Sequence, residues 1–134
     1  MKVALPEPLR ATILTWARLD HPQECCGLLE GQRGENSYCV TVLHPSRNLS
    51  QGLARFEIDP LTHIKAQKLA RLRGSEIIGC YHSHPNGRAE PSATDLAGAG
   101  AEDFLWLIAA GEDLNAFVYL RGRFTGAEWV TSES

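Results

Sequence analysis

The sequence predicts an α/β fold, a single mixed β-sheet with helices packed on it, forming one domain over residues 1–134. Three observations carry that expectation. Stretches with helical character near residues 6–20 and 59–73 are interleaved with short strand-like stretches, an order that suits helices laid on one sheet. Ile77-Ile78-Gly79-Cys80-Tyr81 and the run from Phe104 to Ala110 are mostly apolar over strand length, as buried strands are. A chain of 134 residues with 43% hydrophobic content and three Trp can bury about two thirds of its unfolded surface without disulfides.

Taken in order, Pro6 and Pro8 open a first helix in which Leu9, Ile13, Trp16 and Ala17 share one face, and Asp20-His21-Pro22 ends it. Glu24 stands at the mouth of a strand from Cys26 to Gly31. A turn around Gly34-Glu35-Asn36 leads to a second strand, Ser37 to Leu43. Residues 44–52 are rich in turn formers and read as a loop, in which His44 is given no ligand role. Arg55 to Ile58 reads as a short strand. Asp59-Pro60 then supplies the cap and first residue of a second helix running to about Arg73, whose Lys65, Lys68, Arg71 and Arg73 are expected on a solvated face. Gly74 stops that helix, and the strand from Glu76 to Tyr81 delivers His82 and His84 at its end. Ser92 starts a short helix. Phe104 to Ala110, Leu114 to Arg121 and Arg123 to Val130 complete the sheet, with Trp106 and Trp129 as core candidates and residues 131–134 as a loose tail.

Composition removes several classes of function. Thirteen basic and sixteen acidic residues give a net charge of -3, which argues against a nucleic-acid surface. No signal-like apolar run follows Met1-Lys2, and no segment approaches the roughly 20 apolar residues of a membrane span, so a cytoplasmic protein is expected. Cys25, Cys26, Cys39 and Cys80 contain no Cys-x-x-Cys pair and read as small, mostly buried apolar residues rather than zinc ligands or nucleophiles.

The chemistry concentrates in His82-Ser83-His84-Pro85 and in Ser92-Ala93-Thr94-Asp95. Side chains two apart on an extended segment point the same way, so both imidazoles can reach one ion. Asp95 adds an oxygen ligand from the first turn of the helix that Ser92 caps. Two nitrogens and one oxygen leave a tetrahedral zinc one position short, the mark of a catalytic rather than a structural site.

The spacing His-x-His-Pro, six residues, Ser-x-x-Asp, preceded by Glu24-Cys25-Cys26-Gly27-Leu28-Leu29, resembles the signature of the JAMM (MPN-plus) zinc metallopeptidases, with every position filled. The resemblance covers nearly the whole chain. It implies a fold related to cytidine deaminases, one Zn2+ per chain on His82, His84 and Asp95, Glu24 as catalytic base and Ser92 as hydrogen-bond donor to the oxyanion. It also implies hydrolysis of the peptide or isopeptide bond after the C-terminal Gly-Gly of a ubiquitin-like protein. An unpaired strand edge near the site is expected to bind the extended tail by strand addition. The short stretch after Asp95 makes the chain similar to compact bacterial members that trim ubiquitin-like sulfur-carrier proteins, and that role is favoured over a deubiquitinase-like one. A zinc deaminase is disfavoured because position 84 is His and no Cys pair follows. A non-catalytic MPN scaffold that only binds partners is disfavoured because no signature residue is missing. Neither the carrier protein nor the oligomeric state is legible.

Overall fold

A computed structural model describes residues 1–50 and 55–130; Gln51 and Gly52 of the expected loop, and the expected tail at 131–134, lie outside the described residues. The elements run β1 (Lys2–Ala4), α1 (Glu7–Asp20), β2 (Cys26–Gly34), β3 (Ser37–Ser46), α2 (Pro60–Leu72), β4 (Glu76–Ser83), α3 (Ala93–Gly98), β5 (Phe104–Ala110), β6 (Asp113–Leu120) and β7 (Arg123–Trp129). Mixed sheet and packed helices are as expected. The sheet is closed, however: β1-β3-β2-β4-β5-β6-β7 form a barrel sealed where β1 pairs in parallel with β7. The closing strand is three residues long, too short to carry an alternating pattern, and only buried Val3 marks it.

Beside the site, the strand that delivers the histidines offers no edge of its own for strand addition. β4, which delivers the histidines, is hydrogen-bonded on one side to antiparallel β2 and on the other to parallel β5, so neither of its edges is free. Arg55 to Ile58 is not a strand either. Ile58 makes a single bridge to Asn48, and the Asn48 side chain takes over the rest of the pairing: its Oδ1 accepts from Glu57 N at 2.9 Å and its Nδ2 donates to Arg55 O at 3.2 Å. β2 and β3 run further than expected, and His44 lies inside β3 opposite Leu28 rather than in a loop.

Two apolar clusters pack against the sheet. One gathers Ile13 and Ala17 of α1 with Val3, Leu29, Tyr81, Leu105 and Leu107. The other gathers Ala66 of α2 with Leu28, Cys80 and Trp106, with Phe56 and Ile58 against them. Trp106 is buried as expected, while Trp129 is only partly buried at the margin of the first cluster. α2 meets the sheet through its small residues, Ala66 and Ala70, and leaves Leu61, Ile64 and Leu72 exposed. Among the described residues no helix is long and apolar enough to cross a membrane.

A buried acid that the sequence did not mark ties the layers together. Glu30 of β2 accepts from Arg73 Nε at 2.9 Å and Nη2 at 2.8 Å, from the Ser75 hydroxyl, and lies 2.7 Å from His44 Nε2. Arg73 stays exposed with the solvated lysines, but its guanidinium reaches back to the sheet, because a buried carboxylate needs compensating donors. Hydrogen bonds from Arg73, working against desolvation and joined by Ser75 and His44, pull the Glu30 carboxyl from 4.5 down to about 2. A depressed acid stabilises the fold in full above its unfolded pKa and loses that contribution as pH falls through the folded one. Glu30→Gln puts an amide against donors that need an acceptor, so we expect a loss on the order of 2 kcal/mol near neutral pH, shrinking toward pH 2. Urea midpoints of the two proteins across that range check both the loss and its slope.

Candidate metal centre

The first ligand pair is set by β4. His82 is in register with Cys26 of β2 and Ile108 of β5, and the backbone just beyond is pinned from both sides: Ser83 N donates to Cys25 O at 3.1 Å and His84 N to Ala109 O at 2.8 Å. Ser83 Oγ also accepts from Cys25 N at 2.8 Å, which fixes the approach to Glu24. Gly27 lies opposite Tyr81, and a Cβ there would fall 2.4 Å from the tyrosine ring, so the glycine lets this ring lie flat under the strand pair that carries the site.

The third group comes from α3. Ser92 is its N-cap in a reciprocal capping box: Ser92 Oγ accepts from Asp95 N at 3.0 Å, and Asp95 Oδ2 accepts from Ser92 N at 2.9 Å. That box aims Asp95 Oδ2 at the imidazoles, 3.2 Å from His82 Nε2 and 3.0 Å from His84 Nε2, while the two Nε2 atoms lie 2.9 Å apart. Glu24, His82 and His84 each present a ligand atom within 4.8 Å of the others. All four side chains are buried. The five residues singled out in the sequence thus converge on one place.

The donor set suits a divalent cation. His84 Nδ1 lies 2.8 Å from Arg88 O and can only donate there, which leaves Nε2 as a lone pair facing His82 Nε2 and a carboxylate oxygen. Lone pairs held this close need positive charge between them. The electrostatics agree: burial works to lower the His84 pKa, but the hydrogen bond to Asp95, the Arg88 carbonyl and the nearby acids raise it overall. Burial also works to raise the Asp95 carboxyl, yet contact with both imidazoles and the Ser92 amide holds it well below the usual carboxylate range. Burial, the dominant effect on His82, keeps that ring neutral and able to ligate.

Glu24 is different in kind. Burial pushes its carboxyl from 4.5 up to about 7, with His84 pulling it down and Asp95 pushing it up. Its Oε1 is buried with no hydrogen-bond partner among the described residues, an arrangement that structural acids avoid and proton carriers need. Burial also raises the thiols beside it, Cys25 to about 11 and Cys26 to about 12, so neither is a nucleophile at neutral pH.

Sequence reading missed three contributors. Phe56 stacks on His82 with centroids 4.3 Å apart, and Trp106 meets the same ring edge-on at 5.6 Å, so packing holds an imidazole whose Nδ1 has no hydrogen-bond partner among the described residues. Asn48 Nδ2 donates to Glu24 O at 3.1 Å, joining the Glu24 backbone to the segment that carries Phe56. None of these contacts is local in sequence. A groove of about 700 Å³, lined in part by Leu28, Phe56, Ile58, Thr94, Asp95 and Trp106, opens beside Asp95.

A closed mixed sheet thus holds two histidines at the tip of a central strand, against an aspartate at a helix start, as a candidate metal site. The chain belongs to the prokaryotic homologs of the JAB domain, whose family model matches residues 6–120. It is 31% identical to a desampylase of Haloferax volcanii over 98% of this chain and 91% of that one. It is 28% identical to a CysO-cysteine peptidase of Mycobacterium bovis over 72% of this chain and 65% of that one. The solution structure of protein DSY2949 from Desulfitobacterium hafniense is similar throughout, with a TM-score of 0.87 and 29% identity over 100% of this chain and 94% of that one.

Proposed function

We propose that this protein is a zinc-dependent peptidase or isopeptidase that hydrolyses the bond after the C-terminal Gly-Gly of a ubiquitin-like protein, in particular a sulfur carrier. The observation that carries the reading is the meeting of His82 Nε2, His84 Nε2 and Asp95 Oδ2 beside the unpartnered, proton-holding carboxyl of Glu24. Relatives that are a desampylase and a CysO-cysteine peptidase by name support a substrate of this class.

His82, His84 and Asp95 are assigned as the ligands. Bound there, zinc supplies Lewis acidity toward a carbonyl oxygen and lowers the pKa of water. Glu24 takes a proton from the attacking water and returns it to the departing nitrogen, a task that needs a carboxyl with a pKa close to the working pH. Ser92 Oγ already accepts from Asp95 N, so its own proton is left to donate to the oxygen that gains charge as the carbonyl is attacked. Glu24 and Asp95 are kept apart in charge state by their surroundings, the one raised by burial and the other held low by the imidazoles. The groove beside Asp95 receives the tail, and glycines at its end leave no side chains to clash with the buried centre.

The test is a panel of ubiquitin-like proteins carrying short extensions or lysine conjugates after Gly-Gly, read by intact mass. We expect loss of the extension, abolished by a chelator and restored by zinc. Zinc-loaded protein that leaves every panel member intact, or cleavage that a chelator does not touch, contradicts the proposal.

A further inference from the structure

We infer that Asn115 of β6 is a positioning residue of the metal centre: through the loop that follows β4 it holds the carbonyl that orients His84, and so sets how tightly a divalent cation is bound. This rests on the ligand assignment above and adds to it a residue outside the signature.

The two imidazoles are held by different means. His84 presents Nε2 to His82 and Asp95 and donates from Nδ1 to Arg88 O at 2.8 Å, so that carbonyl fixes both the tautomer and the direction of the ring. His82 Nδ1 has no hydrogen-bond partner among the described residues, and packing holds its ring instead. The orientation of His84 therefore depends on whatever keeps Arg88 O in place.

Arg88 lies between β4 and α3 and belongs to neither. Two side-chain amides hold the chain around it. Asn86 Oδ1 accepts from Arg88 N at 2.9 Å, an exposed bond local to the loop. Asn115 Nδ2 donates to Ala89 O at 3.1 Å across 26 residues, and this bond ties the loop to the sheet. Ala89 is buried, so its carbonyl needs such a donor. Along the chain Arg88 O falls between the two holds, and releasing either lets it swing away from the ring. The register explains why β6 can supply the amide. Asn115 is paired with Ile108 of β5, which is paired with His82 of β4. Cross-strand partners share a face, so the amide stands in the same row as a ligand, two strands over. Along β6 it shares that face with Phe117 and Tyr119, both packed on the cluster around Trp106. An amide in an aromatic row is accounted for by the carbonyl it meets.

The experiment titrates wild type, Asn115→Ala and Asn115→Thr with zinc against a chromophoric chelator and records the melting of each protein free of metal. Asn115→Ala should bind zinc about 5- to 10-fold more weakly, less than the roughly 10- to 100-fold that follows loss of a direct partner of a ligating histidine, while its metal-free melting stays near that of wild type. Threonine suits a strand but its hydroxyl is too short to span the same gap, so Asn115→Thr should also bind more weakly and guards against a misfolded alanine variant. Cobalt(II) in place of zinc adds a spectroscopic check, because the ion shifts the imidazole N–H protons of its two histidines. One of them, held by Arg88 O in wild type, should exchange with water faster in Asn115→Ala while the other is unchanged. Wild-type zinc affinity in both variants, or a loss matched by earlier melting with N–H exchange unaltered, overturns the role of Asn115 and leaves the peptidase reading in place. A wild type that takes up neither ion removes the metal centre itself, and both fall.

Discussion

Glu24→Gln should bind zinc as wild type does and fold as wild type does, yet turn over about 10²- to 10⁴-fold more slowly, the range spanned by a positioned general base. The reasoning is specific to this carboxyl. It is buried, it has an oxygen with no partner among the described residues, and burial holds its pKa near 7, so its protonation changes where the enzyme would work. An acid raised in this way is protonated below that pH and becomes a competent base only as pH climbs through it. A neighbouring cation favours the charged form and moves the transition downward. Wild-type kcat/KM should therefore rise with pH on its acid side, and the residual activity of the amide variant should lack that rise. Turnover, zinc content and the pH profile, measured on the same preparations, check all three statements. A variant with normal turnover removes Glu24 from the reaction.

Ser92→Ala should lose about 10²- to 10³-fold in kcat, the cost of removing one donor to a developing oxyanion. Ser92 also caps α3, and losing a cap of this kind costs about 1 kcal/mol, so the alanine variant should melt somewhat earlier. The two effects are separated by Ser92→Thr, which keeps both the cap and the hydroxyl. It should restore stability and much of the activity, whereas an alanine variant that melts earlier but keeps wild-type kcat would assign the serine to architecture alone. Zinc content in the alanine variant then reports whether Asp95 still points at the imidazoles without its capping partner.

The parts of the site that could be read from the sequence are those whose geometry is local. His82 and His84 share a face because a strand alternates, and Asp95 is placed by a capping box whose two members are three residues apart. Glu24 could not be placed by such rules, since its position depends on the pairing of β2 with β4, and only resemblance to a known signature singled it out. The same limit explains what went unread. Glu30 meets Arg73 across 43 residues, and Phe56 covers His82 from a segment whose backbone bonds are taken up by the side chain of Asn48. Helices were legible because Pro, Asp and Gly punctuate them. β1 was not, because three residues hold no period and its partners, β3 and β7, are both distant from it in sequence.

That last pairing has a bearing on how the molecule is made. Val3 must sit between Tyr38 and Trp129, so the wall cannot be completed until residue 129 has left the ribosome, however early the helices and central hairpins take shape. The short strand β1 acts as a latch between β3 and β7. A bulky fusion placed directly before Lys2 should hinder the seal more than one joined through a flexible spacer.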